Sequence, residues 1–161
     1  MSVFISYRHK DRSHALAVEE YLRAAGVPSY LDVMDDESRA TSDITSVITQ
    51  RIRDASHLLA IVSHETAGSW WVPFEIGEAT ITDVRIATFQ IDHLRLPEYL
   101  EHWPVMRTPS DLTQFVKEYR KDLAMGLESL ERRAGVEGVF GNASRRTADD
   151  FHRALKARLK G

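Results

Sequence analysis

The apolar run at residues 57–63 constrains the fold more than any other stretch of the chain. It reads HLLAIVS and lacks the alternation of apolar and polar residues that marks a strand with one face in water. A continuous run of this kind is typical of a central strand in a parallel sheet, because helices cover both faces of such a strand. The run therefore predicts strands on both sides of it and helices above and below.

Other short apolar segments alternate with helical patterns along the chain. Further strands are predicted at residues 3–7, 27–32, 84–91 and 105–106. Strands that alternate with helices form a parallel sheet with helices on both faces. The sequence therefore predicts an α/β fold, a flavodoxin-like three-layer sandwich with a central parallel sheet of about five strands.

Apolar residues at helical spacing predict the helices that connect these strands. One helix ends at Gly26, another begins at Ser42 or Asp43, and a third begins at Pro109. The helical side chains expected in the core are Leu16, Val18, Tyr21, Leu22, Ile44, Val47, Ile48, Ile52, Leu112, Phe115, Val116, Tyr119 and Leu123.

The C-terminal part of the chain follows a different pattern. A glycine-rich break at residues 135–142 precedes a last helix, which residues 147–150 cap and which carries Phe151, Leu155 and Leu159 on one stripe. Its basic residues are expected on a solvated face: Arg153, Lys156, Arg158 and Lys160. We therefore expect one domain at residues 1–125 and a C-terminal helical extension at residues 126–161, packed on or beside that domain.

Composition excludes several classes of protein. A length of 161 residues fits one domain, and a formal charge of −3 gives no drive toward nucleic acid or an anionic membrane. The chain has no cysteine, which excludes disulfides and thiol chemistry. It shows no signal-peptide pattern and no apolar run of the roughly 18 residues that a membrane span needs. We therefore expect a cytoplasmic protein.

Familiar catalytic motifs are missing from the sequence. The loop after the first strand has no glycine, so neither a dinucleotide fingerprint nor a phosphate-binding P-loop is present. The seven histidines lack the spacing of metal ligands, and no metal site is expected. The segment Ser63-His64-Glu65 suggests a hydrolase, but no G-x-S-x-G elbow surrounds any serine.

A candidate site comes from the loops that follow the strands. In a parallel sheet, ligands bind outside the carboxyl ends of the strands, where residues 8–13, 32–42 and 64–75 gather in this chain. Ser69 can cap a helix in which Trp71 and Glu75 lie four residues apart on one side. An aromatic ring beside a carboxylate can hold a flat ligand next to a reacting centre. In the alternative interpretation, Trp71 fills the core, Glu75 is solvated, and Asp11 and Ser13 only cap the first helix.

Four segments, in order, resemble the TIR (Toll/interleukin-1 receptor) domain in its bacterial form. They are Val3-Phe4-Ile5-Ser6-Tyr7-Arg8, Tyr30-Leu31-Asp32, Leu59-Ala60-Ile61-Val62-Ser63 and the S-x-W-V-x-x-E segment from Ser69 to Glu75. The resemblance covers residues 3 to about 125. The chain departs from the family in its second long loop, the BB loop, because residues 32–44 contain neither the usual glycine nor a proline.

The resemblance implies an enzyme that cleaves NAD at the nicotinamide–ribose bond, with NAD as substrate and no cofactor. It gives the catalytic role to Glu75. It also implies that Trp71 stacks on nicotinamide, that Arg8 and His9 contact phosphate or adenine, and that Asp32 helps to close the site. The full set of substrate-binding residues implied is Ser6, Arg8, His9, Asp32 and Trp71.

The resemblance also implies a place in signalling. A stand-alone TIR domain is similar to the enzymes of Thoeris-type anti-phage systems, which make an ADP-ribose-derived messenger that activates a separate effector protein. Such enzymes assemble through TIR–TIR contacts, so a homo-oligomer is expected. The product depends on which nucleophile bonds to the ribose after nicotinamide leaves. The sequence leaves three products open, which are ADP-ribose, a cyclic isomer and a conjugate, and a cyclic nucleotide is favoured.

Three other functions compete with this interpretation. The chain could be a non-catalytic TIR scaffold, an effector that depletes NAD, or an enzyme like the nucleoside deoxyribosyltransferases. The Trp71 and Glu75 pair argues against a scaffold, because a scaffold does not need it. Turnover of nucleosides in place of NAD would identify the third alternative.

Overall fold

The computed structural model describes residues 1–32, 50–64, 66, 71–92, 98–135 and 146–160. Its five strands are β1 (Val3–Ser6), β2 (Ser29–Asp32), β3 (His57–Val62), β4 (Arg85–Gln90) and β5 (Val105–Met106). They form one parallel sheet in the order β2-β1-β3-β4-β5. The predicted α/β, flavodoxin-like fold is confirmed.

Helices cover both faces of the sheet. They are α1 (Arg12–Ala24), α2 (Trp71–Ile81), α3 (Glu98–Glu101), α4 (Pro109–Gly135) and α5 (Ala148–Leu159), with a 3₁₀ helix at His9–Asp11 and helical residues at 50–54. The predicted start of a helix at residues 42–43, and its apolar residues 44–48, lie outside the described residues. No helix in the described ranges combines the length and apolar character needed to cross a bilayer.

Strand β3 lies in the middle of the sheet and is buried along its whole length. Its alternate side chains enter two separate cores. Leu59 and Ile61 pack with residues of α1, α4 and α5, whereas Leu58 and Ala60 pack with residues of α2. This two-sided burial confirms the prediction made from the uninterrupted run at residues 57–63.

The helix ends follow the sequence signals. Gly26 adopts a φ of 73° just after α1, a conformation that favours glycine, and so ends the helix as predicted. At the start of α5, Thr147 and Asp150 form a capping box in which each side chain accepts a hydrogen bond from the other residue's backbone N–H.

Two residues predicted in the core lie at the surface. Leu16 is 43% exposed because α1 buries Ala15, Val18 and Leu22, and Leu16 points away from that stripe. Leu123 is 37% exposed because Asp122 takes the buried position one turn beyond Tyr119 on α4. The other residues predicted in the core from these two helices are buried, apart from the partly buried Tyr21: Val18, Leu22, Leu112, Phe115, Val116 and Tyr119.

The buried carboxylates of α4 bind arginines from β4, from α5 and from the segment that precedes α5. Asp122 accepts from Arg85 Nε at 2.9 Å and from Arg146 Nη1 at 2.7 Å. Glu118, which is fully buried, accepts from Arg146 and from Arg158 of α5. We call Arg85, Glu118, Asp122, Arg146 and Arg158 the ion-pair network. Arg158 is exposed, as predicted for the basic face of this helix, and it also donates to Glu118.

The network determines the charge state of its members. Burial favours a raised pKa for Glu118, but hydrogen bonds from Lys121, Arg158 and Arg146 outweigh it and hold the pKa below its usual value. Burial also favours a raised pKa for Asp122. The nearby His57, with Nε2 at 3.5 Å from Asp122 Oδ2, and the charge of Arg146 outweigh burial, so the pKa of Asp122 is also lowered. Both carboxylates are therefore ionised at neutral pH.

Two buried histidines lie beside the network. Burial lowers the pKa of His57, which packs against the rings of Phe115, Tyr119 and Phe151, although the nearby Asp122 opposes that shift. His152 of α5 accepts the backbone N–H of Ile86 in β4 at 2.8 Å through Nε2. Helix α5 is thus joined to the sheet through hydrogen bonds as well as apolar contacts.

Candidate functional site

The carboxyl ends of the parallel strands form the edge at which the predicted site residues gather. Ser6 is the last residue of β1 and pairs in register with Asp32 of β2 and with Ala60 of β3. The structure describes only the backbone of Asp32 and of Trp71, at the start of α2, so the predicted roles of both side chains stay predictions. We call the edge of the sheet at which the parallel strands end the carboxyl edge.

A hydrogen bond between Ser6 and Glu75 lies at the carboxyl edge. Ser6 Oγ donates to Glu75 Oε2, and both residues are only 1% exposed. The even-numbered side chains of β1 face α2, as Phe4 does when it packs with Ile76. The interpretation in which Glu75 is a solvated surface residue is therefore wrong. A buried carboxylate exerts a stronger electrostatic effect on a nearby cation than one in water does.

Arg8 and His9 lie in the segment that leaves β1 at this edge. Arg8 is partly exposed and precedes the 3₁₀ helix that contains the exposed His9. Lys10 and Arg12 are also exposed, so the segment carries three cationic side chains close together in sequence. Such a loop can bind phosphate groups at the rim of the site.

A second buried contact at the carboxyl edge was not predicted from the sequence. Asp11 is 5% exposed and its side chain makes no cap hydrogen bond to α1, so the alternative interpretation in which it only caps this helix is wrong. Instead, its Oδ2 accepts from Ser63 Oγ at 2.8 Å. Ser63 N–H donates to Thr66 Oγ1 at 3.0 Å. The contact joins the loop that carries Arg8 to the loop that follows β3.

A histidine–aspartate pair lies next to that contact. His64 Nδ1 is 2.7 Å from Asp92 Oδ2, and the His64 backbone N–H donates to the same oxygen at 3.3 Å. The Asp92 carbonyl accepts from Gln90 Nε2 at 2.6 Å, and Gln90 Oε1 accepts from Arg107 Nε at 3.0 Å. The sequence signal for His64 is limited to the segment Ser63-His64-Glu65, for which no G-x-S-x-G elbow supports a hydrolase.

The described residues do not gather metal-ligating side chains. No group of three or more histidine, aspartate or glutamate side chains within the described ranges has the arrangement of a metal site. Among the side chains that the structure describes, the carboxyl edge offers a buried carboxylate, an oriented imidazole and a cationic loop.

Comparisons with known proteins agree with the resemblance seen in the sequence. The family model described as "TIR domain" matches residues 3–123. A relative from Bacillus cereus (strain MSX-D12), named "Probable 3' cyclic ADP-D-ribose synthase ThsB'", is 23% identical over 79 residues. The match covers 47% of this chain and 41% of that protein, so the chain spans about two fifths of the relative's length.

Two solved structures share the fold. One is the TIR domain of the Toll-related receptor TRR-2 from Hydra magnipapillata, with a TM-score of 0.54 and 15% identity, covering 65% of this chain and 81% of that one. The other is a 2-deoxyribosyltransferase from Bacillus psychrosaccharolyticus, with a TM-score of 0.54 and 10% identity. The match covers 70% of this chain and 90% of that one. At these identities the likeness is one of fold alone.

Proposed function

The chain belongs to the TIR domain family, and from that premise we propose that it cleaves NAD at the bond between nicotinamide and ribose. The observation that carries the proposal is the carboxylate of Glu75, buried at the carboxyl edge and hydrogen-bonded by Ser6. The relative named as a cyclic ADP-D-ribose synthase supports the choice of substrate class.

The reaction suits a site with one carboxylate. Nicotinamide leaves a cationic pyridinium as a neutral molecule, so its departure needs no general acid. Glycosidases with ordinary leaving groups need a second carboxyl group for that purpose. The positive charge that develops on the ribose is what needs stabilisation, and a fixed carboxylate in a water-poor site supplies it.

Other residues of the edge take supporting roles in this proposal. Ser6 fixes the orientation of the Glu75 carboxylate by donating to it. Trp71 stacks on nicotinamide, and Asp32 closes the site from β2. Arg8 and His9 bind the phosphates or adenine from the cationic loop.

We also propose a wider setting for the reaction. The product is an ADP-ribose-derived, cyclic signalling nucleotide that activates a separate effector protein in anti-phage defence. The protein works in the cytoplasm as a homo-oligomer held by TIR–TIR contacts. These steps rest on the family and on the partial match to the Bacillus cereus relative.

The test is incubation of the purified protein with NAD, with the products separated by chromatography and identified by mass spectrometry. Glu75→Gln should abolish nicotinamide release, because the amide has nearly the same shape but no negative charge. Glu20→Gln, at an exposed position on α1, is the matched control and should keep the wild-type rate. The mass of the second product identifies the acceptor.

Three outcomes would contradict the proposal. Nicotinamide release that survives Glu75→Gln would remove Glu75 from the chemistry. Nucleoside turnover without NAD turnover would indicate a deoxyribosyltransferase. An absence of turnover both in vitro and in phage-infected cells would leave a non-catalytic scaffold.

A further inference from the structure

Cleavage of the nicotinamide bond is only half of the proposed reaction, because the ribose must then take an acceptor. Acceptors fall into two chemical classes. Water and sugar hydroxyls lose a proton when they form the new C–O bond, so a base accelerates their attack. A ring nitrogen such as that of a pyridine attacks with its lone pair and releases no proton.

The His64–Asp92 pair has the arrangement of an oriented base. Asp92 Oδ2 contacts both Nδ1 and the backbone N–H of His64, which fixes the ring and keeps the proton on Nδ1. The hydrogen bond from the His64 side chain lowers the pKa of Asp92, so the carboxylate stays ionised. The exposed fractions of the two side chains are 69% and 40%, so solvent reaches the pair.

The position of the pair connects it to the carboxyl edge. His64 directly follows Ser63, whose hydroxyl is bound to Asp11 in the loop that leaves β1. The carbonyl of Asp92 is bound by Gln90 at the end of β4. The pair therefore lies across the ends of two adjacent central strands, at the same edge as Ser6 and Glu75.

Folding stability does not account for this arrangement. Exposed ion pairs contribute little to the free energy of unfolding, since water screens them and the side chains lose entropy. The chain of hydrogen bonds from Arg107 through Gln90 to Asp92 nevertheless holds the pair in one geometry.

We propose that His64, oriented by Asp92, is the general base for a hydroxyl acceptor, so that the site transfers the ADP-ribosyl group to oxygen. This inference rests on the proposed NAD cleavage. The C–N bond breaks and nicotinamide leaves with its electron pair. The acceptor oxygen then bonds to the same ribose carbon, and its proton passes to Nε2 of His64 and from there to solvent.

The test compares two acceptors in the same protein. His64→Gln and Asp92→Asn should lower the rate of formation of hydroxyl-derived products on the order of 10²-fold. Exchange of nicotinamide for 3-acetylpyridine should keep its wild-type rate, because the pyridine nitrogen needs no base. His102→Gln, at an exposed position in the segment between α3 and β5, is the matched control and should change neither rate.

The outcomes separate this inference from the proposed function. If the wild type neither releases nicotinamide nor exchanges it, the proposed NAD cleavage fails and the base fails with it. Suppose instead that the wild type releases nicotinamide and also exchanges it for 3-acetylpyridine. If His64→Gln and Asp92→Asn then leave both reactions at the wild-type rate, or slow both reactions equally, only the role of His64 as base is overturned. Urea unfolding of each variant checks that equal losses are not a folding defect.

Discussion

Arg146 should be a main source of stability for the C-terminal helix, and Arg146→Met tests this. Its guanidinium donates to Asp122 Oδ1 at 2.7 Å, to the Glu118 carbonyl at 3.2 Å and to the Glu118 carboxylate. Arg85 in turn donates to the Arg146 carbonyl at 2.6 Å. The substitution keeps much of the apolar stem of the side chain and removes only its charge and donors.

The expected loss follows from the burial of the partners. The Arg146 side chain is 10% exposed, and those of Glu118 and Asp122 are 0% and 1% exposed. Removing one partner of a buried ion pair costs roughly 3–5 kcal/mol, because the remaining charge is left uncompensated. Arg85 and Arg158 still neutralise the two acids in the variant. We therefore expect Arg146→Met to lower the free energy of unfolding by about 3 kcal/mol, the lower end of that range.

The assay is equilibrium unfolding in urea, read as the midpoint and slope for the whole chain. Arg153→Met is the matched control, because Arg153 lies on α5 with its side chain 78% exposed and pairs with Asp150 only at 3.6 Å. The control should change the free energy of unfolding far less than Arg146→Met. Equal effects of the two substitutions would refute the reasoning, since charge burial would then not explain the stability.

Two further predictions concern acid stability and the site. Burial lowers the pKa of His152 from 6.5 to about 4. As pH falls from 6.5 to 4, the unfolded chain binds a proton that the folded chain does not, so stability should fall by about 3 kcal/mol. In His152→Gln, the free energy of unfolding measured with urea should depend less on pH between 6.5 and 4. An unchanged dependence on pH would contradict the lowered pKa of His152. Ser6→Ala should cost about 1–2 kcal/mol in unfolding assays, because buried Glu75 loses a donor, and should slow nicotinamide release. Full stability and full activity in this variant would show that the contact is unimportant.

The sequence predicts the sheet well, because its signals are local. Each strand lies in a short segment rich in apolar or β-favouring residues, and the uninterrupted burial of β3 follows directly from residues 57–63. The rule that ligands bind at the carboxyl ends of parallel strands then brings Ser6 and Glu75 to one edge. Their hydrogen bond, between residues 69 positions apart, could not be read from either segment alone.

The ion-pair network shows where local reasoning fails. Periodicity placed Leu123 in the core, whereas the neighbouring Asp122 is buried there. A carboxylate is expected at the surface unless its partners are known, and two partners of Asp122, Arg85 and Arg146, lie far from it in the sequence. The Asp11–Ser63 and His64–Asp92 contacts were missed for the same reason, since each joins loops that follow different strands.

The placement of the ion-pair network also separates two electrostatic environments. Arg85 and His57 are paired at the amino ends of β4 and β3, whereas Gln90 and Val62 are paired at the carboxyl ends. The five rises between these two pairs correspond to about 16 Å along the strand. Because the Coulomb energy falls with distance, a change of charge in the network acts less on the carboxyl edge than the same change made at that edge. The amino edge of the sheet is therefore the place at which the chain can be stabilised with the smaller effect on the chemistry at the carboxyl edge.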